Sequence, residues 1–266
     1  MFTEKTLAHL SPPQLCRAFK RAYHGYTVTL PFTEEWVRNH IERNSIVLSE
    51  SPLWLDDKDD PVALAALGVR DKRGWIGAFG LAPEVRGKGL AAPLLDAIMT
   101  RAEDLKLSHL QLEVLQSNAR AFRTYQSHGF ETSRKVVTLS CPIDFSTGPL
   151  EGARLCNWDR IPVGPVSEVV WQRELPFAAP AQAEALVSPN AWVRFYPRGK
   201  GIVVIDGKAR DTDSLGALMA DLRHRFPFYT LTASNEPVGS ALYFSLTSLE
   251  WLESNPQWEM RCELET

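Results

Sequence analysis

The chain has 266 residues, 44% hydrophobic and 23% charged, and its 29 basic and 32 acidic side chains leave a formal net charge of −3. This composition excludes a disordered or collagen-like chain, lacks the basic excess of a sequence-independent nucleic-acid binder, and suits one large domain or two small ones. Its longest apolar stretches, such as Val62 to Leu67, are far shorter than the roughly 20 residues of a membrane helix, and Met1-Phe2-Thr3-Glu4-Lys5 does not open a secretory signal, so the expected location is the cytoplasm.

Thr6 to Leu10 reads as a first strand, and Ser11-Pro12-Pro13 as an N-cap with prolines in the first turn of a helix reaching about Tyr23. A second helix starts at Thr33, whose side chain can cap, with Glu34 and Glu35 at the positive end of the helix dipole. Ile46-Val47-Leu48 and Val62 to Val69 read as strands flanking Asp56-Asp57-Lys58-Asp59-Asp60, a solvated hairpin loop with cation or amine steering as the alternative. Gly74 to Leu81 is a third strand-like run after the turn Asp71-Lys72-Arg73-Gly74. The helix that follows, Gly89 to Leu105, keeps Leu90, Leu94, Leu95, Ile98, Ala102 and Leu105 on one face. Leu110 to Val114 alternates as a strand, Asn118 to about His128 is a helix, and Phe130 to Leu139 is another strand.

Pro142 to Pro149 reads as a linker, and beyond it the same order returns in weaker form. Strands are expected at Trp192 to Tyr196, Ile202 to Ile205, Tyr229 to Thr232 and Trp258 to Leu264, with helices at Ser214 to Phe226 and Gly239 to Leu252. The pattern is a degenerate internal duplication in mixed α/β order, with domains at 1–140 and 150–266. Arg86-Gly87-Lys88-Gly89 recurs as Arg198-Gly199-Lys200-Gly201, but the second copy lies between two strand-like runs and suits a hairpin turn. Cys16, Cys141, Cys156 and Cys262 form no Cys-x-x-Cys pair and none sits at metal-ligand spacing from a histidine, so no metal is expected. The tryptophans at 158, 171, 192, 251 and 258 read as core.

Chemistry concentrates in Leu81-Ala82-Pro83-Glu84-Val85-Arg86-Gly87-Lys88-Gly89-Leu90-Ala91, between a strand and an amphipathic helix. Gly87 and Gly89 admit turns closed to other residues, and the unpaired N–H groups opening the helix suit an anion such as a pyrophosphate, with Arg86 and Lys88 adding charge. A Rossmann reading of Gly87-x-Gly89-x-x-Ala92 fails on context, because Pro83 to Arg86 intervene after the strand and the preceding strands look like hairpins. No Walker loop, nucleophile elbow or His-Glu-x-x-His site occurs.

This segment resembles the GNAT-type N-acetyltransferases, whose pattern Arg/Gln-x-x-Gly-x-Gly/Ala follows their fourth strand and cradles the coenzyme A pyrophosphate. Aligned with Glu84 first, the six-residue pattern departs only there, and the extended form Pro-x-x-Arg-Gly-x-Gly is met by Pro83, Arg86, Gly87 and Gly89. Glu113 to Ala121 followed by Tyr125 to Phe130 is similar to the family's strand-five to helix-four segment. The resemblance covers about Thr6 to Leu139 and implies a GNAT-like mixed-sheet fold with acetyl-CoA as co-substrate and a small-molecule or peptide amine as acceptor. It implies that main-chain groups near Leu81 bind the pantetheine arm and that Arg86, Gly87, Lys88, Gly89, Leu90 and Ala91 hold the pyrophosphate. Asn118 would contact the cofactor from the opposite side, and Tyr125 would protonate the departing thiolate. Glu113 is the candidate general base, with a solvated strand carboxylate as the other reading; His24, Glu34, Glu35 and His40 lie where the family binds acceptors. The second half has Asp211-Thr212-Asp213-Ser214 where a phosphate loop should precede its helix, so Ser214 or Asp213 is expected to cap there and no coenzyme A is expected to bind. A non-catalytic acyl-CoA-binding or interaction module on the same fold is the alternative to an enzyme.

Overall fold

The computed structural model describes residues 2–28, 30–141, 149–162, 169–175, 177 and 182–264. The linker expected at Pro142 to Pro149 lies almost wholly outside the described residues. The chain divides into two compact units, Met1–Ser133 with Trp258–Thr266, and Arg134–Gln257.

In the first unit, β1 (Thr3–Thr6), β2 (Pro52–Leu55), β3 (Pro61–Arg70), β4 (Arg73–Leu81) and β5 (His109–Leu115) lie side by side in that order, followed by residues 258–263 of the last strand, β12 (Leu252–Glu263). The first four are antiparallel, and β5 runs parallel to β4. Strand alternation builds two cores from one sheet. Ala63, Ala65 and Leu67 of β3 pack with Leu94, Leu95 and Ile98 of α3 (Ala91–Asp104), while Leu64 and Ala66 pack with Leu15, Ala18 and Phe19 of α1 (Pro12–Ala22). The second helix, α2 (Glu34–Arg43), begins under Thr33, whose hydroxyl accepts the Trp36 N–H at 3.1 Å.

Two expected strands move. Thr6 to Leu10 is largely a 3₁₀ turn, Leu7–His9, because fully buried Leu7 gives its N–H to the Ser51 carbonyl at 2.9 Å instead of continuing β1. Ile46-Val47-Leu48 contributes one bridge, Ile46 to Gly68, and the strand forms at β2 instead. Ser51 replaces the missing rungs, its hydroxyl donating to the Val47 carbonyl at 2.7 Å and accepting the Leu67 N–H at 3.0 Å. The acidic run is the β2–β3 hairpin loop, where the Asp56 carboxylate accepts the N–H groups of Lys58 and Asp60, each at 2.9 Å.

The second unit repeats the order. It contains most of β6 (Glu131–Ser140), which neighbours β11 (Thr230–Pro237), then β10 (Gly201–Ala209), β9 (Ala191–Arg198), β8 (Glu184–Val187) and β7 (Arg154–Asn157). The short strands β7 and β8 have no counterpart in the sequence reading. Helices α5 (Thr212–Arg225) and α6 (Ala241–Ser248) cover one face through Leu215, Leu218, Leu222, Leu242 and Leu246. Arg198-Gly199-Lys200-Gly201 is the β9–β10 hairpin turn, with Arg198 paired to Gly201. The cap of α5 is neither Asp213 nor Ser214: Asp211 accepts the Ser214 N–H at 2.8 Å, because the helix begins one residue after it at Thr212.

Candidate active site

The site grows from the point where β4 and β5 part. Their parallel pairing covers only Arg73 to Trp75 against His109 to Gln111, which leaves the rest of β4 without that partner. Gly77 is the extra residue of a bulge opposite Ala66 and Leu67, and it shifts the side-chain phase. Ile76 and Phe79 therefore face the α3 core while Ala78 faces α1. Ala82 gives its N–H to the Val62 carbonyl on β3 at 2.8 Å, so Phe79 and Leu81, three and one residues before it, turn their N–H and C=O groups to the opposite side.

Those main-chain groups meet side chains. The Phe79 N–H donates to the Tyr23 hydroxyl at 3.2 Å, and the Leu81 carbonyl accepts Nε of Arg86 at 2.9 Å. Tyr23 packs edge-on to Tyr26 at 5.3 Å between ring centres, and Tyr125 packs edge-on to Phe79 at 5.8 Å. Tyr125 lies on α4 (Ala119–Gln126) and is buried. Loss of hydration pushes its phenol well above the ordinary range, and the phenols of Tyr23 and Tyr26 add to the effect. Tyr23 and Tyr125 thus meet at Phe79, with Tyr26 packed on Tyr23, and the Tyr125 hydroxyl has no hydrogen-bond partner among the described residues.

Beyond Leu81 the chain makes a 3₁₀ turn, Pro83–Val85, and then passes Gly87 and Gly89 at φ +80° and +79°. No heavy atom lies within 4 Å of where a Cβ would stand at either glycine, so both keep open space beside their backbone. The N–H groups of Gly87, Lys88, Gly89 and Leu90 bond no carbonyl or side chain among the described residues, and they lead directly into α3. Pro93 sits in the first turn of α3, where its missing N–H would have had no intrahelical acceptor. These donors fit a pyrophosphate. The pattern aligned above on Glu84 is met without departure two residues later, by Arg86, Gly89 and Ala91. Glu84 instead pairs with Arg21 of α1, which also reaches Asp60 at 3.4 Å.

Asn118 caps α4, its Oδ1 accepting the Ala121 N–H at 3.2 Å, which leaves the side-chain amide as donor. Glu113 on β5 accepts the Trp75 indole N–H at 2.9 Å. Trp75 in turn packs near His40, 6.0 Å between ring centres, and His40 stacks on Trp36 at 5.0 Å. Burial draws the His40 pKa down to about 4, so the imidazole is neutral, and its Nδ1 lies 3.2 Å from the Asn44 amide nitrogen. The structure brings Leu81, Arg86 and Tyr125 around one strand end. Glu113 meets Trp75, two residues before the Gly77 bulge. Tyr23, Tyr26 and Trp75 are given no role by the sequence; the aromatic density at the end of α1 is a signal for the first two only.

The second unit treats the same topology differently. Strands β10 and β11 pair in parallel over Gly201 to Val203 against Thr230 to Thr232 and then part. The Arg173 guanidinium bridges the opening, donating to the Ile205 and Ser234 carbonyls and to the Glu236 carboxylate, which also accepts from the Ser240 hydroxyl. Among the described residues no cluster of three or more His, Cys, Asp or Glu could hold a metal ion, and no helix is long and apolar enough to cross a membrane.

Residues 14–130 match the family model described as the acetyltransferase (GNAT) family, whose members transfer acyl groups from acetyl-CoA. A GCN5-related N-acetyltransferase from Sphaerobacter thermophilus superposes with a TM-score of 0.69 at 13% identity, over 100% of this chain and 96% of that one. A tandem GNAT protein from the clavulanic acid biosynthesis pathway gives 0.68 at 12% identity, over 100% and 99%. A GCN5-related N-acetyltransferase from Kribbella flavida gives 0.57 at 13%, over 98% and 71%. No curated protein sequence matches. Segment 14–130, with its parted strands and glycine loop, matches the acetyltransferase (GNAT) family, and the chain is similar in fold to a tandem GNAT protein.

Proposed function

We propose that the chain is an N-acetyltransferase that moves the acetyl group of acetyl-CoA to a primary amine of a small molecule or peptide, with the chemistry confined to the first unit. The observation that carries this reading is the run of unspent N–H donors from Gly87 to Leu90 beside a β4 edge met by Tyr23 and Tyr125. The second unit is a degenerate copy.

In this reading the main chain of Arg86 to Ala91 holds the pyrophosphate, groups near Leu81 hold the pantetheine arm, and the Asn118 amide contacts the cofactor from the other side. The neutral amine attacks the thioester carbon, and main-chain N–H groups of β4 stabilise the charge on its oxygen. Tyr125 donates its proton to the departing sulfur. Its raised pKa supports this role in one respect, since the phenol stays protonated throughout the neutral range. Glu113 takes the amine's proton, directly or through water, while the Trp75 indole fixes one carboxylate oxygen.

Calorimetry with acetyl-CoA and thiol release over a panel of small amines and peptides test the proposal. Micromolar binding and amine-dependent thiol release are expected. Tyr125→Phe should keep cofactor affinity within about twofold and slow turnover by about 100-fold or more, the range of a lost general acid. Binding without turnover on any amine would make the chain an acyl-CoA-binding module, and an unchanged Tyr125→Phe rate would remove that residue from the chemistry.

A further inference from the structure

The most distinctive arginine of the glycine loop does not point along it. Arg86 donates through Nε to the Leu81 carbonyl at 2.9 Å and through Nη2 to the carbonyls of Ala22 and His24, at 3.1 and 2.7 Å. Its third nitrogen, Nη1, lies 3.9 Å from where a Cβ on Gly25 would stand. Ala22 is the last residue of α1, and His24 follows its C-cap, Tyr23. The last carbonyls of a helix have no intrahelical donor and carry the negative end of its dipole, so a guanidinium from elsewhere in the chain completes α1. A second arginine closes the contact in the opposite direction: Arg21 of α1 donates to Glu84, two residues before Arg86.

The residue held between the two clamped carbonyls is Tyr23, whose hydroxyl meets the Phe79 N–H on the parted edge of β4. Turning Arg86 toward a phosphate would break three charge-assisted bonds and leave two carbonyls at the end of α1 uncapped. Backbone donors already supply the loop's anion site, so little is gained by that turn.

We propose that Arg86 is a positioning residue: from the pyrophosphate loop it caps α1, so that cofactor occupancy of the loop is transmitted to Tyr23 at the acyl end of the site. This rests on the reading that the loop binds coenzyme A. It separates two roles of one residue, the main chain serving the cofactor and the side chain serving the far wall of the cleft.

Hydrogen exchange read by mass spectrometry, with acetyl-CoA as the only ligand, tests it without knowledge of the acceptor. In the wild type, saturating acetyl-CoA should slow exchange in peptides covering 86–92 and, by about threefold or more, in those covering 18–28. Arg86→Lys and Arg86→Met should both bind acetyl-CoA within about threefold of wild type by calorimetry and keep protection at 86–92, because the loop's donors are main-chain N–H groups, while neither side chain has the planar fork that reaches three carbonyls. Both should lose the ligand-induced protection at 18–28. If Arg86→Met unfolds, Arg86→Lys alone carries the comparison. Two results overturn the proposal: undiminished protection at 18–28 in either folded variant, or affinity that collapses about tenfold or more in Arg86→Met but survives in Arg86→Lys, as for a charge acting on phosphate. A wild type that binds no acetyl-CoA fails differently, by removing the cofactor reading and this inference with it.

Discussion

Replacing Gly80 by alanine puts a methyl group where α1 passes over β4. The new Cβ would stand 2.8 Å from the Ala22 Cβ and 3.1 Å from the Ala22 carbonyl oxygen, where carbon atoms at rest sit about 3.5–4.0 Å apart. Helix or strand must then retreat by roughly half an ångström or more. Neither is loose, since Ala18, Phe19 and Ala22 are at most 7% exposed and Arg86 holds the same Ala22 carbonyl. Overpacking of this kind costs about 1–3 kcal/mol, which in a unit of this size lowers the thermal midpoint by roughly 3–10 °C. Because the first atom struck is the Ala22 methyl, Ala22→Gly should relieve part of the clash. The pair should show a coupling of about 0.5–2 kcal/mol in a double-mutant cycle read by circular-dichroism melts. An unchanged midpoint for Gly80→Ala, or strict additivity, would refute the close approach that seats Tyr23 over Phe79.

Two further outcomes are expected. His40 has a folded pKa of about 4 against roughly 6.5 when unfolded, so between those values the unfolded chain binds a proton that the native chain refuses. Stability is then full above pH 6.5 and falls toward pH 4, by about 1–2 kcal/mol after allowance for partial exposure. His40→Phe should flatten that stretch of a urea-midpoint curve, and equal slopes in both proteins would assign the loss to other groups. In the second unit, Arg173→Met strands a buried Glu236 carboxylate and should cost about 3–5 kcal/mol. Denaturation of the variant at the wild-type midpoint would show that the ion pair braces nothing.

What was legible in the sequence was local. The Pro83 to Leu105 segment shows its turn, its positive-φ glycines and its amphipathic helix within about 20 consecutive residues, and the Thr33 cap is likewise written three residues from its partner. Tyr23 was not legible in the same way, because its role depends on an N–H 56 residues away and on a bulge that rephases β4. Arg86 was misleading for a related reason. A cation in a glycine loop advertises an anion, yet the carbonyls that claim it belong to the end of α1, more than 60 residues earlier. Residues 258–263 read as a strand from their alternation, but nothing in them says that they complete the first unit's sheet. Sheet partners are chosen by register and burial, which single strands do not encode.

The two units also differ in what fills the gap between their parted strands, and that difference predicts a stoichiometry. In the first unit the gap is bordered by phenols, and the loop beyond it offers unbonded N–H groups. In the second, three acceptors from two strands close on the Arg173 guanidinium, and at the head of α5 the Asp211 carboxylate accepts the Ser214 N–H. An acyl arm entering there would have to displace a buried cation from its counter-charge, and a pyrophosphate would have to displace a carboxylate of its own sign. Displacing the buried cation alone costs several kcal/mol, against about 8 kcal/mol for the whole of a micromolar affinity. Titration of the intact chain with acetyl-CoA should therefore saturate at one equivalent, and Arg173→Met, with the plug removed but Asp211 in place, should not add a second. Two equivalents in the wild type would mean that neither the plug nor the carboxylate guards the second unit, and the asymmetry argued from these residues would fall.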